Sequence, residues 1–204
     1  MPRPREKSDT DLLAGTMLVI QRLGPERMTL ADVAAEVGMA PATLMQRFGS
    51  KRGLLLAVAR HRAETVGIEF AGIRNDHDSA LATLGAVAAA MTQMVETPES
   101  LANSLAFLQM DLADPEFQRH ALTHARAMRA EIRSLLDAAI ENGELSGCDT
   151  RRLARAIHGM LNGSLLTWAV DRDGAVEKRV REDLEMLLAP FRQTRRPAPR
   201  KMRR

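Results

Sequence analysis

The chain has 204 residues, of which 45% are hydrophobic, 27% charged and 3% aromatic, with no Tyr and one Cys. That balance excludes wholesale disorder, the lone Cys148 excludes an intrachain disulfide or a multi-thiolate metal site, and no apolar run reaches the roughly 20 residues of a membrane helix. The net charge of +3 hides an asymmetry: residues 1–62 carry 10 Lys/Arg against 6 Asp/Glu, residues 63–194 carry 13 against 20, and residues 195–204 carry six basic residues and no acid. Basic ends suit a polyanion, and the acidic middle suits some other task. The apolar content is mostly Leu, Ala and Met, strong helix formers, so the expected fold is all-α.

In chain order, Ser8 or Asp9 caps a first helix with an apolar stripe at Leu12, Leu13, Met17 and Ile20, ended by Gly24 and Pro25. After Thr29, residues Leu30, Val33, Ala34 and Val37 fall at i, i+3, i+4 and i+7, one stripe of a short helix. Gly38 stops that helix, Met39 and Ala40 turn the chain, and Pro41 opens the next helix, where a missing N–H is harmless. In this second helix Leu44 and Phe48 share one side and Ala42, Thr43, Gln46 and Arg47 lie on the rest. The pattern reads as a helix-turn-helix whose second helix enters the DNA major groove. Ser50 caps a longer helix from Lys51 to about Ile73, and IRNDHDS marks a loop.

Leu81, Leu84, Val87, Ala88, Met91 and Met94 define a further amphipathic helix. Thr97-Pro98-Glu99 and Asp114-Pro115-Glu116 repeat one start signal: a capping side chain, Pro at the first helical position, then an acid near the positive helix end. The second of these helices runs to Asn142, with Gly143 as its stop. Asp149 caps an apolar helix over 150–170, and a last helix runs from Ala175 to about Ala189, after which Pro190 and the basic tail leave the fold.

On the second helix of the helix-turn-helix, Gln46 suits an adenine edge, Thr43 a thymine methyl or a phosphate, and Arg47 a guanine or a phosphate. Pro41, Ala42 and Met45 complete the expected contact face, and Thr29 caps its helix and offers its hydroxyl or amide to a phosphate. Three helices in this order resemble the TetR family of bacterial one-component regulators. The matching residues are Thr29, Val33, Ala34, Val37 and Gly38, then Thr43, Leu44, Phe48, Lys51, Leu54 and Leu55. Departures fall on the contact face, where Ala40, Ala42, Met45 and Arg47 stand in place of the family's usual Ser, Gly, Tyr and Tyr or His. The resemblance makes Lys51 a phosphate contact.

The same resemblance implies a domain over 1–50 that binds DNA, a helical regulatory and dimerisation domain over 51–194, and a basic tail over 195–204 expected to be disordered. The tail either adds non-specific DNA affinity or only solubilises the chain. A ligand cavity is implied in the body, with Met91, Met94, Phe107, Met110, Met128 and Trp168 as apolar lining and Asn103, Gln109, His124 and Asn162 as polar anchors. Met at helical spacing equally suits ordinary core. Ala156, Gly159 and Gly163 form a row of small residues that admits a close helix, within the chain or across a dimer; Leu184, Leu187 and Leu188 would add buried area there.

His120 and His124 are four apart, but a zinc site needs a third ligand, so no metal and no cofactor are expected. His158 reads as a satisfied interior histidine. No phosphate-cradling loop, HExxH or nucleophile elbow is present, so an enzyme is not expected. The expectation is a cytoplasmic, homodimeric repressor that binds a near-palindromic double-stranded operator, has no membrane partner, and is released by a small apolar or amphipathic effector. The alternative is a helical ligand-sensing or protein-binding dimer that does not read DNA.

Overall fold

Seven helices begin where a capping side chain accepts a hydrogen bond from a first-turn N–H. In a computed structural model, which describes residues 8–93, 95 and 97–193, one of these caps is Ser79, at the start of the helix Ala80–Gln93, and the other six are Ser8, Thr29, Ser50, Thr97, Asp114 and Asp149. The helices these six start are α1 (Asp9–Arg27), α2 (Leu30–Val37), α4 (Lys51–Asn75), α6 (Pro98–Ala113), α7 (Pro115–Glu141) and α8 (Thr150–Asp171). Each such cap contributes about 1 kcal/mol. Between them lie α3 (Pro41–Phe48), α5 (Ala80–Gln93) and α9 (Val176–Leu188). No helix among the described residues is long and apolar enough to cross a membrane.

Two of the expected boundaries are sharpened. The residues of α1 leave helical geometry at Gly24 (φ 78°, ψ 156°), a left-handed position that favours glycine, and Pro25 starts another turn before Met28. The last helix does not simply release the chain at Pro190. Ala189–Phe191 form a 3-10 turn, the Phe191 carbonyl accepts from Ser146 N at 2.7 Å, and Gln193 N donates to Glu144 O at 3.3 Å. Residues up to Gln193 therefore stay bound to the loop after α7. The basic tail over 195–204 lies outside the described residues.

The start of α5 is capped locally by Ser79, whose hydroxyl oxygen accepts from Ala82 N at 3.2 Å, and also from that same loop. Glu144 accepts from Ala80 N at 3.0 Å, from Leu81 N at 3.3 Å and from the Ser79 hydroxyl. A carboxylate placed at a positive helix end is favoured, and here it comes from more than sixty residues away, beyond the reach of any local motif.

Two apolar clusters form the interior. The first packs Leu12, Val19 and Ile20 of α1 with Val33, Ala34, Leu44, Leu54 and Val58, and it recruits Phe107 from α6 and Phe117 from α7. The expected boundary after residue 50 thus falls inside this core, which extends along α4 to Ala59. The second cluster packs Val66 and Phe70 with Leu84, Ile132, Leu136, Ile157, Leu161, Leu184 and Leu188. Helix α4 runs through both clusters, α1 packs on α6, and α7 packs on α4 and α8.

Candidate nucleic-acid interface and effector cavity

Helix α3 buries Leu44, packs Phe48 half-buried against the same core and exposes the rest. Leu44 is fully buried, whereas Pro41, Ala42, Thr43, Met45, Gln46 and Arg47 are exposed. The helix is held at both ends: Pro41 opens it, and Gly49, at φ 72°, closes it with its N–H on Met45 O at 2.8 Å. Gly38 takes the left-handed conformation (φ 63°, ψ 41°) that turns the chain from α2 into α3.

The cations at this face are steered by their own chain. Arg47 pairs with Asp9 of α1, and Lys51 Nζ donates to the Glu26 carbonyl at 2.7 Å. Thr29 caps α2 as expected. Its amide donates to Asp32 Oδ2 at 2.8 Å and its hydroxyl donates to the same oxygen at 2.6 Å, while Asp32 N donates back to the hydroxyl at 3.2 Å. Both Thr29 donors are already engaged in this capping box, so its first duty is to start α2. Those hydrogen bonds also hold the Asp32 carboxyl below its ordinary value.

Behind this module α4, α6, α7 and α8, with Met91 of α5, line a cavity of about 460 Å³. Of the anchors expected from sequence, Met91, Met128, His124 and Asn162 line it. Asn162 Nδ2 is bonded back to His158 O at 2.8 Å, leaving its oxygen for another partner. Met94 lies outside the described residues.

The other five expected lining residues do not line it. Phe107 is buried in the first core, edge-on to Phe117 with centroids 6.0 Å apart and planes at 85°, and Met110 packs against the same core. Asn103 points to α1, where its Nδ2 donates to Gln21 O at 2.9 Å and Arg22 O at 3.1 Å and so satisfies carbonyls left open by the break at Gly24. Gln109 is exposed, and Trp168 packs on the second core with its Nε1 donating to Gly174 O at 3.0 Å.

Sequence reasoning missed the charged part of the cavity, Arg62, Asp111 and His158, and the apolar wall of Leu101, Leu105 and Leu108. A signal existed. Arg62 occupies the stripe Leu55, Ala59, Val66 of α4, and His158 the stripe Ala154, Leu161, Leu165 of α8, so each is a polar residue on a buried face.

Burial dominates the electrostatics. Asp111 is 5% exposed, and desolvation pushes its carboxyl up to about 6 although the Arg62 charge opposes this. Burial, then the Arg62 and His158 charges, pull His124 down to about 4, and burial followed by Arg129 lowers His158. Arg62 is itself lowered by burial, against Asp111 and Glu69, and its guanidinium lies 5.7 Å from the Phe107 ring centroid.

These shifts have opposite consequences for acid stability. His124, depressed on folding, contributes stability above its unfolded value of 6.5 that is lost as pH falls through about 4. Asp111, raised on folding, contributes stability below 3.8 that is lost as pH rises through about 6, so the two cancel over much of pH 4–6. In Asp111→Asn the histidine slope is unopposed, and denaturant unfolding should show about 2–3 kcal/mol more loss than the parent between pH 6.5 and 4. Parallel pH curves would contradict the assignment.

On α8, Ala156, Gly159 and Gly163 are exposed, followed by Leu166 and Val170 at 48% and 76% exposure; of these, Gly163 and Leu166 also line the cavity. A Cβ built at Gly159 or Gly163 meets nothing within 4 Å. Leu184 and Leu188, expected in a dimer seam, instead turn inward with 4% and 2% exposure, and Leu187 packs partly buried on the same core. Their apolar spacing on α9 is met by α5 and α8 of the same chain.

Family models match both parts of the chain: residues 12–58 match the tetR family of bacterial regulatory proteins, and residues 80–192 match the C-terminal domain of BetI-type transcriptional repressors. The chain belongs to the TetR family. Among proteins of curated function, none matches it in sequence. Solved structures similar to this TetR-family chain include a transcription regulator from Haloarcula marismortui, 16% identical, covering 90% of this chain and 97% of that one with a TM-score of 0.68. A second is FadR from Bacillus subtilis in complex with stearoyl-CoA, with 18% identity, coverage of 89% and 98%, and a TM-score of 0.64. A third is SmeT, repressor of the Stenotrophomonas maltophilia multidrug efflux pump SmeDEF, with 19% identity, coverage of 98% and 97%, and a TM-score of 0.64. At these identities the likeness carries the fold, and the family models carry the role of a DNA-binding transcriptional regulator.

Proposed function

We propose that this chain is a cytoplasmic homodimeric repressor, without catalytic activity, that holds a near-palindromic operator until a small apolar or amphipathic molecule occupies the cavity. The observation that carries the reading is the two-faced character of α6. Leu101, Leu105 and Leu108 face the cavity, and Asn103, Phe107 and Met110, two residues on along the same helix, face the DNA-binding module. A ligand that moves one stripe moves the other. Helix α4 supplies a parallel link: the Arg62 guanidinium lies over Phe107, Phe107 meets Phe117 edge-on, and the Arg52 guanidinium lies 5.7 Å from the Phe117 centroid, one residue from Lys51.

Arg52 is held in turn by Asp114 and Glu116, both at 2.7 Å, so the start of α4 and the α6–α7 corner move together. Occupancy of the cavity acts only through a difference in affinity between two placements of the recognition helices, because equal affinity for both shifts nothing. The exposed row from Ala156 to Val170 supports pairing through α8, with Ala156, Gly159 and Gly163 at the close approach. Paired recognition helices about 34 Å apart then imply a two-fold site.

Selection of bound fragments from random DNA should return a near-palindrome. Affinity for it should fall linearly in log–log with salt, by roughly 0.9 for each phosphate neutralised. Failure to enrich any sequence, together with salt-independent binding, would sink the repressor reading and favour a dimer that senses ligand without reading DNA.

A further inference from the structure

Asp111 Oδ1 is buried and has no hydrogen-bond partner among the described residues, although Arg62 acts on it as a charge. A buried carboxylate oxygen left unpaired is unusual, because such groups lose their water without compensation. Asp111 lines the cavity with the apolar Leu101, Leu105 and Leu108 and the two histidines His124 and His158, its Oδ1 turned into the protein and its carboxyl 5% exposed. A carboxylate with no hydrogen-bond donor on it and one cation therefore line the same space.

The charges decide what head group fits there. A carboxylate head would be drawn to Arg62 but would meet the Asp111 carboxylate, and the two histidines, held neutral by burial, add no compensating positive charge. An ammonium head would satisfy Asp111 but would stand beside Arg62 in a poorly solvated site. A neutral group that donates on one side and accepts on the other meets both partners and brings no net charge. Resting on the reading that this cavity receives the regulating molecule, we propose that its ligand carries a carboxamide-like head, N–H toward Asp111 and C=O toward Arg62, on an apolar body along α6.

The test uses the full-length protein and three probes with one alkyl body: octanamide, octanoate and octylammonium, titrated calorimetrically at pH 8. Octanamide should bind at least tenfold more tightly than either charged probe. Asp111→Asn keeps the shape of the side chain and removes its charge, so octanoate should gain at least tenfold relative to octanamide. Octanoate or octylammonium binding as tightly as octanamide to the parent protein overturns the head-group assignment, as does no binding of any probe. Should Asp111→Asn not fold, the parent's ranking of the three probes still decides.

Release of operator DNA is scored separately. Release by octylammonium but not octanamide overturns the head assignment and leaves the ligand-responsive repressor standing. Octanamide binding at the cavity with DNA held unchanged, over the full titration, supports the head assignment and overturns the responsive reading.

Discussion

Replacing Arg47 and Lys51 together with Ala is expected to lower operator affinity by about 10²–10³-fold, since each good base or phosphate interaction from such a side chain is worth about 1–3 kcal/mol. Folding should hardly change. Arg47 is exposed and pairs with an exposed Asp9, an arrangement worth about 0–1 kcal/mol, and Lys51 donates to one exposed carbonyl. The salt slope should also drop by about one for each phosphate that is no longer neutralised. Arg133→Ala, which removes an exposed pair with Asp137 far along α7, serves as the control and should leave the shift intact. A double variant that retains full affinity would remove these residues from the interface.

Substitution of Gly53 by Ala is expected to disable the DNA-binding module by a different route. A Cβ at Gly53 lies 2.1 Å from the Phe48 carbonyl oxygen and 3.3 Å from its carbon, both backbone atoms, so the last turn of α3 must move away from α4. Overpacking of this kind costs about 1–3 kcal/mol and here displaces the recognition helix itself. Thermal unfolding of Gly53→Ala should begin lower, and operator affinity should fall even where the protein remains folded. Gly72, on the same helix, has nothing within 4 Å of its Cβ position, and Gly72→Ala should be neutral or slightly stabilising. Equal behaviour of the two variants would show that the close approach at Phe48 carries no weight.

The contrast between those two glycines marks the limit of reading by local pattern. Both stand in one helix, Gly53 in its first turn and Gly72 in its last, and it is the approach of the Phe48 carbonyl to Gly53 that makes them differ. The same limit governs the cavity. His124 and Met128, one turn apart on α7 and expected at a cavity from the family resemblance, line it, but Phe107 and Met110, expected there on the same ground, face the other way. A helix with two apolar stripes does not say which neighbour each stripe will meet.

Short-range chemistry is legible in the order of residues. Caps at Ser8, Thr29, Ser50, Thr97, Asp114 and Asp149, the left-handed stop at Gly38 and the Pro41 start bond within a few residues, so the helix-turn-helix and its exposed face from Ala42 to Arg47 follow from the sequence without the fold. Other features exist only once the helices have packed: Asn103 closing the break in α1, Glu144 capping α5, Leu184 and Leu188 turning inward, and Arg62, Asp111 and His158 meeting from three helices around one cavity. Each of these depends on which helices come to lie side by side. That is set by how whole apolar faces pack, and no window of adjacent residues contains it.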